Sequence, residues 1–256
     1  MAIAEFDKAI DLDPNYAAAY DGRGWSYRNL GDHNAAIADY NKAIQFDPGM
    51  FSAYNHRGIS YRALGQPQLA IADYDKAIQL DPNHGATYNN RSNVYRDLGQ
   101  YQLAIDDSTK AIQIEPNFTR YYNRSRAYYY LDQTQNELDD LTSAIQLGVP
   151  DPGPPVYLDR GYAYRVLGQY QNAINDYTIA IQAEPSAWLY SDRGYSYLSL
   201  DQYQNAVNDY NISIQLEPDG VRYYNRAWAY YYLGETTKMQ ADFDVACSLD
   251  SQFCSD

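Results

Sequence analysis

Apolar and aromatic positions along the chain fall on two alternating stripes of helical spacing. In residues 51–84 the first stripe is Tyr54, Gly58, Tyr61 and Leu64, and the second is Ala70, Tyr74, Ala77 and Ile78. Steps of three and four residues place each set on one helix face. Gly65-Gln66-Pro67 separates the stripes and Asp81-Pro82-Asn83 follows the second, where the residue before proline is pushed out of helical geometry. The pattern predicts helix, short turn, helix, proline stop.

This frame recurs. Tyrosines stand at 20, 54, 88, 121, 157, 190 and 223, and again at 27, 61, 95, 128, 164, 197 and 230. The period is 34 residues at first and 33 to 36 later, inside the range that marks stacked repeats. Small residues recur where paired helices must approach: Gly24, Gly58, Ser92, Ser125, Gly161, Gly194 and Ala227 on first helices, and Ala36, Ala70, Ala104, Ala173 and Ala206 on second helices. A glycine inside a helix costs about 1 kcal/mol relative to alanine, so close packing must return at least that much. An array of this kind has no single core, because each repeat buries itself against its neighbours. The predicted boundaries are the second helix of an incomplete repeat at 1–16, repeats one to four at 17–148, an insertion at 149–155, and repeats five to seven with a tail at 156–256.

The chain resembles the tetratricopeptide repeat over nearly its whole length. The resemblance rests on the Tyr, Gly or Ser, Tyr, Leu-Gly, Ala, Tyr, Ala and Pro columns, ending in Pro48, Pro82, Pro116, Pro185 and Pro218. It implies an all-α fold, a right-handed α-solenoid of antiparallel helix pairs, whose first helices line a concave groove that holds a peptide or partner helix. Three features depart from the pattern. The chain opens inside a second helix (Ala2, Phe6, Ala9, Ile10, Pro14), which points to a fragment of a longer array or to an end that docks. Val149-Pro150-Asp151-Pro152-Gly153-Pro154-Pro155 is a stiff insertion expected to tilt the last three repeats. No polar helix follows the seventh repeat, so Phe243, Leu249 and Phe253 are expected to stay partly exposed.

Two charged columns run through the repeats. Arg23, Arg57, Arg91, Arg124, Arg160, Arg193 and Arg226 share one place on the first helices; Asp39, Asp73, Asp107, Asp140, Asp176, Asp209 and Asp242 share one on the second. A guanidinium fork suits a carboxylate, and a column repeated in every unit reads as structural ion pairing across helices. A catalytic carboxylate array is the alternative, yet catalysis needs one asymmetric site.

A different stripe, one, five and eight residues after the first Tyr, varies from repeat to repeat. It supplies the expected partner-binding residues Trp25, Arg28, Asn55, Arg62, Asn89, Asn93, Arg96, Arg126, Tyr162, Arg165, Tyr195 and Trp228. Arg, Trp and Tyr concentrate binding energy at interfaces; solvated helix faces are the plain alternative. The N-terminal half, with Arg28, Arg62 and Arg96 in line, is expected to favour an acidic peptide, and the C-terminal half apolar side chains. Co-chaperone relatives clamp a terminal carboxylate with Lys, Asn and Arg, and these positions contain no Lys.

Composition sharpens the picture. Acidic residues number 33 against 19 basic, a net charge of −14, which repels nucleic acid and anionic lipid. The absence of a long apolar run argues against membrane insertion and for a soluble protein. His33, His56 and His84 are isolated near turns or helix starts, and no metal spacing, phosphate-cradling loop or nucleophile motif occurs. The reading is a non-catalytic interaction scaffold without cofactor or metal, binding a protein or peptide. The alternatives are a structural array self-associating through its terminal repeats, or a regulatory fragment of a larger protein. Cys247 and Cys254 either pair, which would fit an exported protein, or remain thiols, which fits the cytoplasm.

Overall fold

The tyrosine frame is explained by what it surrounds. In the computed structural model, which describes residues 2–148 and 153–254, the described residues form fifteen α-helices and one short 3-10 turn. Packing divides the chain into two compact units, Met1–Leu131 and Asp132–Asp256. The first unit holds α1 (Ala2–Leu12), α2 (Ala17–Asn29), α3 (His33–Phe46), α4 (Phe51–Ala63), α5 (Pro67–Leu80), α6 (Gly85–Asp97), α7 (Tyr101–Ile114) and α8 (Phe118–Tyr129). The second holds α9 (Thr134–Gln146), α10 (Pro154–Val166), α11 (Tyr170–Ala183), α12 (Ala187–Ser199), α13 (Tyr203–Leu216), α14 (Gly220–Tyr232) and α15 (Thr236–Leu249). Within each unit consecutive helices pack on one another, so the chain is an all-α solenoid of helix pairs.

Between the helices of a pair the backbone passes through left-handed geometry, which glycine adopts without cost. Gly65 does so at φ 69° and Gly168 at φ 72°, while Asp201 takes the same role at φ 59°. Residues 149–152, the greater part of the insertion expected to tilt the last repeats, lie outside the described residues. Gly153, at φ 74°, leads directly into α10.

The small-residue columns meet large partners. A Cβ on Gly58 would lie 2.7 Å from the Tyr74 ring, one on Gly24 2.8 Å from Tyr40, and one on Gly161 2.9 Å from Tyr177. These tyrosines are fully buried, so the missing Cβ is filled by a ring from the paired helix. Where the first helix carries Ser92 in place of glycine, the partner is Ser108, with the hydroxyls 2.6 Å apart, and Ser92 also donates to the Ala104 carbonyl at 2.9 Å. Each glycine of the column thus makes room for a tyrosine ring, whereas Ser92 and Ser108 meet through a hydrogen bond.

At the same seam sits the arginine column. Arg57 donates from Nε and Nη2 to both oxygens of Asp73 at 2.8 and 2.6 Å. Arg91 does so to Asp107, Arg160 to Asp176, Arg193 to Asp209, Arg226 to Asp242 and Arg23 to Asp39. Each of these carboxylates is buried. The Tyr columns bracket the guanidinium: Arg91 lies 5.8 Å from the Tyr88 ring centre and 5.7 Å from that of Tyr95, within cation–π range. Arg124 is bracketed likewise by Tyr121 and Tyr128. The third nitrogen reaches back to the preceding repeat, from Arg57 to Asn41, Arg91 to Asp75, Arg124 to Thr109, Arg193 to Thr178 and Arg226 to Asn211. This polar column, two residues after each Asp, was not singled out in the sequence.

The ends of the chain carry less burial. Phe6 of α1 packs directly on Gly22 of α2, but no residue of α1 is buried. At the other end Cys247 and Cys254 form a disulfide, Cα to Cα 4.5 Å. It draws the 3-10 turn Ser251–Phe253 against α14, where Phe253 and Phe243 pack on Tyr224 with ring centres 4.9 and 5.6 Å away. Both phenylalanines are partly buried, while Leu249 stays 54 % exposed.

Two positions break the small-residue column of the second helices, Glu137 and Met239. Glu137 stands where Ala36, Ala70, Ala104, Ala173 and Ala206 stand elsewhere, and it is buried. Burial, reinforced by the negative charge of Asp159, raises its carboxyl from the usual 4.5 to about 8. The folded second unit therefore holds this proton at neutral pH.

Two outcomes follow. Arg91→Ala leaves the Asp107 carboxylate, which burial already pushes above its usual value against the pull of Arg91, without its fork. The expected loss is about 3 kcal/mol, read as a lower urea midpoint; an unchanged midpoint contradicts the seam. For Glu137 the folded value lies above the unfolded one, so its stabilisation is complete below about pH 4.5 and is lost as pH rises through about 8. The full loss is on the order of 5 kcal/mol. Melting temperature measured from pH 4 to 9 should therefore fall less steeply in Glu137→Gln than in the parent chain.

Candidate partner-binding surface

The face of the first helices turned away from the arginine seam differs in every repeat. In the first unit, Trp25, Arg62 and Arg126 are exposed and Arg28, Asn89, Asn93 and Arg96 are half-buried. In the second unit, Tyr195 and Trp228 are exposed and Tyr162 and Arg165 half-buried. Asn55 differs from the rest. It is buried, and its amide oxygen accepts from Thr87 Oγ1 at 3.3 Å and from Asn90 Nδ2 at 3.1 Å, so its side chain ties α4 to α6.

The first unit gathers three arginines. Arg62 donates from Nε and Nη2 to a single oxygen of Asp97 at 2.9 and 2.7 Å. Arg96 lies 3.6 Å from the other oxygen of Asp97 and donates to Asn123 Oδ1 at 3.3 Å. Asn123 in turn donates to Asn89 at 2.9 Å. Burial, together with the positive charges of Arg126 and Arg62, pulls Arg96 below the usual guanidinium value despite Asp97. The local potential is thus positive in a chain of net charge −14. An acidic segment would meet Arg126 and Arg96 readily, but at Arg62 it would compete with a carboxylate already in place.

The second unit presents rings. The Arg165 guanidinium lies 5.0 Å from the Tyr162 ring centre and 5.4 Å from that of Tyr195, and 3.8 Å from the Asp192 carboxylate. Trp228 meets Tyr231 and Phe243 edge-on at 5.6 and 5.8 Å. The cluster is anchored from below by Tyr224 and Phe253, yet Trp228 keeps 36 % and Tyr231 53 % of its surface exposed. Such rigid, half-buried aromatics lose little entropy when a partner covers them.

Asp97, Asn90 and Asn123, which hold these arginines and asparagines in place, were not recognised in the sequence. Asp97 lies one residue beyond the stripe, directly after Arg96, and an acid there against an otherwise mixed column (Asn29, Ala63, Tyr130, Val166, Ser199, Tyr232) was the available signal. Among the described residues no cluster of His, Cys, Asp or Glu could hold a metal ion, and no helix is long and apolar enough to cross a membrane.

Comparison with known proteins bears on the repeat unit and its fold. Models described as tetratricopeptide repeat match residues 51–84, residues 5–38 and 73–106, residues 158–210, and residues 222–253. One described as TPR repeat matches residues 24–65. No curated protein sequence matches the chain significantly. Among solved structures, the crystal structure of YrrB, described as a TPR protein with an unusual peptide-binding site, is 22 % identical. It covers 72 % of this chain and 94 % of its own, with a TM-score of 0.66. Pseudomonas aeruginosa pilF is 17 % identical, over 88 % of this chain and 97 % of its own, with a TM-score of 0.67. The MamA protein is 25 % identical, over 68 % and 94 %, with a TM-score of 0.60.

Proposed function

Because this chain belongs to the tetratricopeptide repeat proteins, with about seven repeats, we propose that it is a non-catalytic scaffold holding a peptide or partner segment in a concave groove lined by its first helices. One observation carries the reading. Seam positions repeat the same residues and are buried, whereas this face changes in every repeat and leaves Trp25 48 % and Tyr195 37 % exposed. Structural need accounts for the first pattern and not for the second. The chemistry divides between the units: the first offers Arg96 and Arg126 to an acidic stretch, and the second offers Tyr162, Tyr195 and Trp228 to apolar side chains. The fold shared with YrrB, whose described property is peptide binding, is consistent with the reading but transfers no residue.

A second reading, association of copies through α1, is favoured by its lack of buried residues and by Leu12, 88 % exposed. Light scattering that shows mass rising with concentration, and a constant mass for Leu12→Lys, supports it. A constant mass for the parent chain overturns it.

The scaffold reading is tested by selecting twelve-residue peptides from a displayed random library and measuring their affinity by calorimetry. Trp228→Ala and the pair Arg96→Ala with Arg126→Ala are each expected to weaken selected peptides by about tenfold or more. The arginine pair should weaken acidic peptides most at low salt. Failure to select any peptide, or equal affinity for all variants, overturns the proposal.

A further inference from the structure

The variable face of the first unit gathers charge of one sign. Arg62 and Arg96 approach the same carboxylate, Arg62 at 2.7 Å from Asp97 Oδ2 and Arg96 at 3.6 Å from Asp97 Oδ1. Arg126 adds a third positive charge, which, like that of Arg62, acts on Arg96. Three guanidiniums against one carboxylate leave +2 in this group, inside a chain whose net charge is −14. Like charges held together cost free energy until an anion joins them.

These cations remain within reach of a ligand. Arg126 is exposed and makes no hydrogen bond, ion pair or ring contact among the described residues. Arg62 keeps 39 % of its side chain exposed. Its bonds to Asp97 use Nε and Nη2, so Nη1 is without a partner among the described residues. Both of those bonds end on one oxygen of Asp97, whereas each seam arginine forks onto two oxygens of its aspartate. The parallel pairing that makes such forks strong is therefore not formed at Arg62. Arg96 has only a long bond, 3.3 Å, from Nη1 to Asn123. An open cavity of about 410 Å³ bordered by Arg62, Asn90 and Asp97 gives a ligand room to approach.

We propose that Arg62, Arg96 and Arg126 form a subsite for a phosphoryl group carried on a serine or threonine of the bound peptide. The inference rests on the peptide-binding reading above and narrows its acidic half. A phosphoryl ester carries a charge of about −1.5 to −2 at pH 7 and three acceptor oxygens. It therefore matches the charge of the group and offers one oxygen to each guanidinium. A single aspartate or glutamate brings one charge and two oxygens, and would leave the group positive with one arginine unserved. Two carboxylates would supply the charge, but they stand on separate stems that must each be ordered. Arginine at all three places fits the same ligand, because its flat fork donates paired hydrogen bonds to phosphate oxygens and lysine does not. The net charge of −14 opposes nucleic acid and anionic membranes, which arrive with many phosphates at once. A short segment bearing one phosphate meets the local charge without that penalty.

The test uses the full chain, 15N-labelled and titrated at constant ionic strength. The probes are a nine-residue alanine-glycine peptide with one central phosphoserine, the same peptide with glutamate or serine at that place, and inorganic phosphate. The phosphopeptide is expected to give saturable shifts at Arg62, Arg96 and Arg126, with a dissociation constant about tenfold below those of the other three probes. Arg126→Ala changes an exposed position, so it should melt with the parent and weaken the phosphopeptide about tenfold. Asp97→Asn removes the repelling carboxylate and should tighten the phosphopeptide about fivefold, the effect of one unit charge a few ångström away in water. Arg165→Ala, in the second unit, should leave its affinity unchanged. Equal affinity for the phosphoserine and glutamate peptides, inorganic phosphate binding as tightly as the phosphopeptide, or parent-like affinity in Arg126→Ala overturns the subsite. If library peptides still bind in that case, the subsite alone falls. If no peptide binds at all, the scaffold reading falls with it.

Discussion

The structure depends on a guanidinium that performs three tasks in one place. It forks onto an aspartate of its own repeat, reaches back to a polar side chain of the repeat before, and lies between two tyrosine rings one helical turn to either side. Three requirements on one group explain why the sequence frame is Tyr, Arg three residues on, then Tyr four after that. Arginine is required because lysine offers a point charge without the fork or the flat face. The desolvation of the buried carboxylate is offset locally by two parallel hydrogen bonds, and the bond to the preceding repeat couples each pair of helices to its neighbour within a unit. Nearest-neighbour coupling of this kind is what makes a linear array cooperative without a common core.

The seam also sets the conditions for the variable face. Because specificity within the stack is carried by buried Arg, Asp, Gly and Tyr, the opposite stripe of each first helix is released from packing duty. It can therefore differ from Trp25 to Asn93 to Tyr195 without loss of fold.

Much of this architecture was legible in the sequence, because repetition makes each residue its own control. Helix pairs, turns and the small-residue columns emerge from spacing alone, and α2 to α8 follow the expected frame closely. Legibility failed where a residue acts through geometry that spacing does not encode. Asn55 shares the stripe of exposed positions, yet it is turned inward to Thr87 and Asn90. Asp97 and Asn123 fix the arginines of the variable face from positions just off that stripe. Glu137 hid as one of two gaps in the alanine column, with Met239, since scattered exceptions look like noise until burial shows that the carboxyl lies inside. The fate of Cys247 and Cys254 was open because a spacing of seven residues permits a bridge without requiring one.

The matching of Gly58 to Tyr74 and of Ser92 to Ser108 carries a consequence for how such a chain can grow or be rebuilt. The two helices of a hairpin are a lock and its own key. A crossover that joined the first helix of one hairpin to the second helix of another would set glycine against serine and leave a hole, or serine against a phenol ring and force the helices apart. Duplication or shuffling by whole hairpins avoids both, so the inheritable module of this chain is the closed pair, and recombination joints belong in the proline-bearing connectors.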